Sequence, residues 1–277
     1  MQQAENSSNS SSSDENMCVL SFGKLCGTGG KTLEKEWGVA AVAPEKHQNP
    51  GFHFSFISAP VNQAKLEDIL KTLNAFYGNQ PFELWIDESN KAHIESIQKG
   101  GYSLSGIYPS RFLDLDKKFS EIASKDIELK HIVDEKDLKD WVAVVASSKG
   151  LNGKNLENFV KNIFNNPNVF FYVAYYQGKP IASRLMIVYG KIVSGYFSIT
   201  LPAYRQKGIG SLLLRFSLNQ MIDKGVKKYT ILAIPHGSNV WRKMGIKQGR
   251  EYICFEKKAA PLGSVSSDKT NLKKKRV

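Results

Sequence analysis

Arg205-Gln206-Lys207-Gly208-Ile209-Gly210 puts two glycines and two cations on one short stretch. Glycine lets a backbone pass close to a bulky ligand and adopt positive φ. Leu212, Leu213, Leu214, Phe216 and Leu218 follow at helical spacing. A helix that starts on such a turn aims several unpaired N–H groups, and the positive end of its dipole, at one point. Phosphate is the chemistry that suits that point. Upstream, Ile192, Val193, Tyr196, Phe197 and Ile199 are β-branched or aromatic, as a strand prefers, and Pro202 has no N–H with which to extend a ladder. The stretch 191–216 therefore reads as strand, phosphate-friendly turn and helix.

The elements around it have a definite order. IELKHI (127–132) reads as a strand, Asp134–Ser148 and Asn155–Asn165 as amphipathic helices, and VFFYVAYY and IASRLMIVY as a hairpin across Gln177–Gly178. After the turn and its helix come VKKYTILAI, a short helix in PHGSNVWRKMGI, and a last strand, QGREYICFEK. In the first half, MCVLSF and WGVAAVAP read as strands joined by the loop KLCGTGGKTLEKE. FHFSFI, FELWID and SLSGIYPSRFLDLD read as further strands. Val61–Tyr77 and the segment opening at the cap Ser89 read as helices. The polar segment 117–127 marks a domain boundary. The fold class expected is α/β (α+β): a mixed central sheet with helices on both faces.

Composition narrows the function. The chain has 277 residues and a formal net charge of +12. Between Lys257 and Val277 seven basic residues stand against one acid, Asp268, so half of the excess lies in a tail. The charge therefore argues less for a nucleic-acid-binding fold than the total suggests, and nucleic acid is not an expected partner. Three cysteines without a CxxC pair give no disulfide framework and no metal site. No apolar run reaches ~18 residues, so no transmembrane span is expected. MQQAENSSNSSSSDEN lacks a signal peptide's charged and apolar regions, and a cytoplasmic setting follows. KKKR (273–276) also fits a nuclear address or, with the Ser-rich head, a secreted effector. CGTGGKT (26–32) looks like a nucleotide phosphate loop, but Leu25 stands where that pattern needs glycine, and LEKEWGV is too short for its helix.

With R-x-x-G-x-G seated between a strand and a helix, the chain resembles the GNAT superfamily of acyl-CoA N-acyltransferases. Thr200, Pro202, Tyr204, Arg205 through Gly210 and Ser211-Leu212-Leu213 carry the likeness, and Thr200 stands where the family has an apolar residue. It covers roughly residues 127–257. The first half overlays on the later elements, with Asn90 and Gly101–Tyr102 matching a family helix, but ISAPVNQ replaces the glycine turn. The resemblance implies a tandem arrangement: a disordered head (1–16), a degenerate GNAT-like domain (17–118), a GNAT domain (127–257) and a basic tail (258–277).

What the resemblance implies for function is acetyl transfer from acetyl-CoA to an amine: a protein or peptide N-terminus, a lysine or a small amine. No metal is implied. The amides of Gln206, Lys207, Gly208, Ile209, Gly210 and Ser211 would cradle the pyrophosphate, and Arg205 and Lys207 would add charge. Ser198, Ile199 and Thr200 would hold the pantetheine arm as an added strand does, and Asn239 would be a further cofactor contact. A lysine-like amine, with a pKa of ~10.4, must lose a proton before it attacks. The strands offer no glutamate in the family's places, and His236 is the ionisable candidate for base. Trp241 stands where the family has its tyrosine acid. Indole cannot give up a proton to the leaving thiolate, although its N–H can donate a hydrogen bond. Tyr196, Tyr252 and Ser238 are the alternative donors. The rival reading is a non-catalytic acyl-CoA-binding or protein-interaction module that kept the fold.

Overall fold

The computed structural model describes residues 14, 16–44, 52–120, 124, 126–149, 152–233 and 244–259. Among these, eleven strands form one sheet in the order β1-β2-β3-β4-β11-β5-β10-β9-β8-β7-β6. The strands are β1 (Lys31–Lys35), β2 (Gly38–Val42), β3 (His53–Ile57), β4 (Phe82–Asp87), β5 (Ser103–Asp114), β6 (Ile127–Ile132), β7 (Val169–Tyr176), β8 (Lys179–Tyr189), β9 (Ile192–Thr200), β10 (Lys228–Leu232) and β11 (Lys247–Lys257). The helices are α1 (16–26), α2 (Gln63–Tyr77), α3 (Ile94–Lys99), α4 (Leu138–Lys149), α5 (Gly153–Phe164) and α6 (Ile209–Asp223). The sheet is mixed, with helices on both faces, as the element order implies. Two pairs, β3–β4 and β9–β10, are parallel, and the rest are antiparallel.

Strand alternation sorts the core into two sides. Phe171, Val173 and Tyr175 on β7, with Tyr252 and Cys254 on β11, join the cluster under α1, α4 and α5. Their alternates point the other way. Tyr172 and Ala174 pack against α6, and Ile253 and Phe255 pack with α2 and α3. So α2 stands to the parallel pair β3–β4 as α6 stands to β9–β10.

The last strand of each half lies among strands of the other. β11 pairs with β4 and β5 of the first half, and β5 pairs with β10 of the second. An ion cluster sits at that crossing. Arg250 approaches Asp87 Oδ2 and Glu88 Oε1 at 3.1 Å each, and the Glu251 N–H donates to Glu88 Oε2 at 3.1 Å.

Three local expectations are corrected. Residues 17–22 are helical: Met17, Cys18, Val19, Ser21, Leu25 and Cys26 of α1 are all buried, so an apolar run without clear period is a buried helix and not a strand. The expected loop after it contains the edge strand β1, whose alternating charges suit an edge. Asp87, not Ser89, caps the helical turn 88–93, accepting from the Ser89 N–H at 2.9 Å. The glycines of 26–32 serve close packing. A Cβ on Gly27 would stand 2.0 Å from Thr32 Oγ1, and one on Gly30 2.0 Å from the Val42 carbonyl oxygen. That loop follows a helix and leads into a strand, the reverse of the strand-to-helix order a phosphate loop needs.

Candidate active site

The β9–β10 ladder has three rungs, Ile192–Lys228, Val193–Tyr229 and Ser194–Thr230. Beyond Ser194, β9 runs on to Thr200 and β10 to Leu232 without pairing, so the two parallel strands open as a fork. On its other edge β9 stays tied to β8, and a register shift between Ser183 and Leu185 marks a bulge there. The bulge is built around Phe197, whose φ of +46° is costly for a bulky residue. Its carbonyl accepts from Ser183 Oγ at 3.1 Å, and its ring packs on Trp141 and Phe22. Bulges that re-aim a strand are common beside functional sites. Here the next residue, Ser198, has a buried Oγ with no hydrogen-bond partner among the described residues. An orphaned buried hydroxyl calls for an explanation, and a ligand in the fork supplies one.

The chain leaves β9 through a 3-10 turn, Pro202–Tyr204. Arg205 Nε donates back to the Thr200 carbonyl at 3.0 Å, fixing the turn to the strand end. Gln206 has φ +63° and Gly208 φ +78°. A Cβ at Gly208 would meet nothing within 4 Å, so the space before it is open. Glycine is demanded there by the backbone angle, whereas at Gly210 a Cβ would make an ordinary 3.5 Å contact with Thr200 Oγ1. No side chain caps α6. The first backbone partner is found by Leu212, whose N–H donates to the Gly208 carbonyl at 3.0 Å. The amides of Gln206 through Ser211 have no partner among the described residues. Lys207 Nζ lies over the Tyr204 ring at 5.6 Å, at the edge of the cradle. Free amides, an open front and flanking cations fit a pyrophosphate, and the orphaned hydroxyl in the fork fits an amide-bearing arm.

The matching place in the first half is closed by its own side chains. Asn90 Oδ1 accepts from the Val61 N–H at 3.0 Å, and Asn90 Nδ2 donates to the Ala59 carbonyl at 2.9 Å. His93 Nε2 lies 2.7 Å from the Val61 carbonyl, and the Ser58 N–H donates to the Trp37 carbonyl at 2.9 Å. Asn62 caps α2. The Ser58, Ala59 and Val61 amides, and the Lys65 amide in the first turn of α2, are thus taken, whereas those of Gln206 through Ser211 have no partner among the described residues.

The site residues expected from sequence divide in two. Ser198, Ile199 and Thr200 lie on the open arm of the fork, and Arg205 through Ser211 form its turn. His236, Ser238, Asn239 and Trp241 lie outside the described residues. Of the alternative donors, Tyr196 is fully buried, and burial pushes its phenol well up. It donates to the Cys18 carbonyl of α1 at 2.8 Å. Tyr252 donates to Asn16 Oδ1 at 2.8 Å. Both hydroxyls tie down α1. Sequence reasoning missed the Phe197 bulge, and only a positive φ reveals it. It also missed Arg184 and Tyr229, two buried polar groups side by side at the root of the fork.

Residues 118–242 match the family model described as an acetyltransferase (GNAT) domain. That span holds the whole of the fork and its glycine turn. A GCN5-related N-acetyltransferase from Kribbella flavida shares its fold over 89% of this chain and 97% of that one, with a TM-score of 0.67 at 10% identity. A functionally unknown conserved protein from Staphylococcus epidermidis is similar over 84% of this chain and 96% of its own, with a TM-score of 0.62 at 11% identity. A GCN5-related N-acetyltransferase from Sphaerobacter thermophilus matches over 80% and 81%, with a TM-score of 0.59 at 13% identity. No curated protein matches the chain. The family match likens residues 118–242 to an acetyltransferase domain, and the likeness of fold extends over both halves. Among the described residues no helix is long and apolar enough to cross a membrane.

Proposed function

We propose that this GNAT protein is an acetyl-CoA-dependent N-acetyltransferase with one working cleft, the fork of β9 and β10. The observation that carries the reading is the contrast between the halves. The same position holds free amides and an open glycine turn in one, and a turn without those glycines, held by Trp37, Asn90 and Asn62, in the other. Under this reading Gln206 through Ser211 hold the pyrophosphate, with Arg205 and Lys207 beside it. Ser198, Ile199 and Thr200 hold the pantetheine arm, with Ser198 Oγ gaining the partner it lacks. Asn239 is a further cofactor contact.

Acetyl-CoA supplies an activated acyl group as a thioester. The chain's part is to align it and to manage two protons. His236 is proposed as the base that takes a proton from the incoming ammonium, and Trp241 as a hydrogen-bond donor near the acyl group. The first half (17–118) is proposed as a degenerate GNAT-like unit that completes the sheet and borders the acceptor. The acceptor is an amine on a small molecule or a protein. A cytoplasmic setting fits this chemistry.

The test is calorimetry with acetyl-CoA, followed by a thiol-release screen of small amines and peptide N-termini. Gly208→Glu and Gly210→Glu, which put a carboxylate into the cradle, are expected to abolish both signals. No binding by the unaltered chain would refute the reading. Binding without thiol release on any amine would instead favour a non-catalytic acyl-CoA-binding module.

A further inference from the structure

A cation lies buried at the root of the fork without an acid to balance it. Arg184, on β8, is 4% exposed, and no carboxylate pairs with it among the described residues. Its Nη1 donates to Tyr229 OH at 2.9 Å, and its backbone carbonyl accepts from Trp141 Nε1 at 3.0 Å. Burying an unbalanced charge is costly, and proteins keep such groups where a partner arrives later or where function needs them.

Gly195 makes the arrangement possible. It is the first residue of β9 past the last rung, Ser194–Thr230. A Cβ there would stand 2.7 Å from Tyr229 OH and 3.3 Å from Arg184 Nη1. The phenol from one arm and the guanidinium from β8 therefore meet over the backbone of the other arm, at the first point where the strands part. Both lie on the face covered by α6, the helix whose N-terminus forms the glycine turn. A ligand that starts at that turn and runs down the fork ends beside them. This placement rests on the cofactor reading above.

We propose that Tyr229 is the catalytic acid of the transfer and that Arg184 is its positioning residue. The C–N bond forms as the amine attacks the acyl carbon, and the C–S bond breaks with its electron pair leaving on sulfur. Tyr229 gives its phenolic proton to that sulfur. The phenolate is held beside Arg184 until the proton lost by the amine replaces it. Burial raises the Tyr229 phenol, and Arg184 offsets part of that rise. Among the described residues the acids on the elements packed on the pair have other partners: Asp223 of α6 meets Lys118, Asp114 of β5 meets Lys247, and Asp140 of α4 accepts from Tyr175. The other charges on those elements add to the positive field. Arg215 on α6 has a buried Nε without a partner, as has Arg111, opposite Ile231 on β5. Lys228, beside Tyr229, is paired with Asp14.

The experiment needs no acceptor. Affinities of the full chain for coenzyme A and for desulfo-coenzyme A are measured by calorimetry at pH 7 and pH 9. A thiol facing a buried guanidinium has its pKa lowered on binding, so affinity for the thiol form rises with pH while that for the desulfo form does not. The ratio of the two affinities is expected to rise about sixfold between the two pH values for a drop of one pKa unit from a free thiol value of ~8.5. Arg184→Met should flatten the rise with desulfo-coenzyme A still bound, Arg184→Lys should keep part of it, and Tyr229→Phe should lower the ratio at both pH values. A flat ratio in the unaltered chain overturns the proposal while leaving the cofactor site intact. Binding of neither ligand overturns the cofactor reading and this proposal with it.

Discussion

Ser198 is the residue that most directly separates a ligand site from a fold. Its Oγ is buried and unpartnered, so the unliganded protein carries the cost of a desolvated hydroxyl. Ser198→Ala should stabilise the free protein by about 1 kcal/mol, and calorimetry should show acetyl-CoA affinity falling about tenfold. A lower melting temperature in the free variant would show that the hydroxyl is structural. The glycines give a second prediction. Gly208, at φ +78°, should lose about 1 kcal/mol of stability on change to Ala, whereas Gly210→Ala, inside α6 with an ordinary contact at 3.5 Å, should be neutral or mildly stabilising. Denaturant unfolding of the two variants decides it. From sequence the two glycines looked alike, both placed to let phosphate come close. Only backbone angles tell them apart, and residue type does not encode them one by one. Ser198 was legible as part of a strand, but its orphaned state depends on the Phe197 bulge, which leaves no mark in the periodicity.

At the scale of elements, the long periodic segments were legible and the short buried one was not. α2, α5 and α6 carry stripes that only a helix explains. α1 is buried on several sides, so its apolar run keeps no single period and resembles a strand. Its place is set from afar. The Cys18 carbonyl accepts from Tyr196, the Met17 carbonyl from Ser194 Oγ at 3.1 Å, and Asp14 meets Lys228 at 2.7 Å. These ties run to β9 and β10, on the face of the fork away from α6. Tyr196→Phe removes one of them and should cost about 1 kcal/mol. Hydrogen exchange at the amides of 16–26 should quicken, with β6–β8 unchanged. Uniform quickening would mean that Tyr196 supports the whole core rather than the seat of α1. The catalytic options read from sequence narrow at the same scale, because Tyr196 and Tyr252 both spend their hydroxyls on this helix.

At the scale of the molecule, the boundary expected at 117–127 does not divide the sheet, because strands from before and after it pair with one another. The order of elements reads as two related halves, with charge and turn residues at the join. What could not be read is that β5 and β11 change places. Both strands alternate in the ordinary way, and alternation says which face is buried but not which strand lies alongside. In the folded sheet β11 has only first-half neighbours, β4 and β5, and β5 is the strand that covers the free edge of β10. The Arg250–Asp87–Glu88 cluster fastens the same crossing. A fragment holding residues 127–257 therefore lacks both neighbours of β11 and the outer neighbour of β10, leaving the fork with one arm on an unpaired edge. It should show no cooperative melting transition and should not bind acetyl-CoA. Co-expression with residues 14–118 should restore both properties, because the exchanged strands can then be supplied from a second chain. If the 127–257 fragment melts cooperatively and binds acetyl-CoA unaided, the exchange is not what holds the fork open, and the second half owns its site outright.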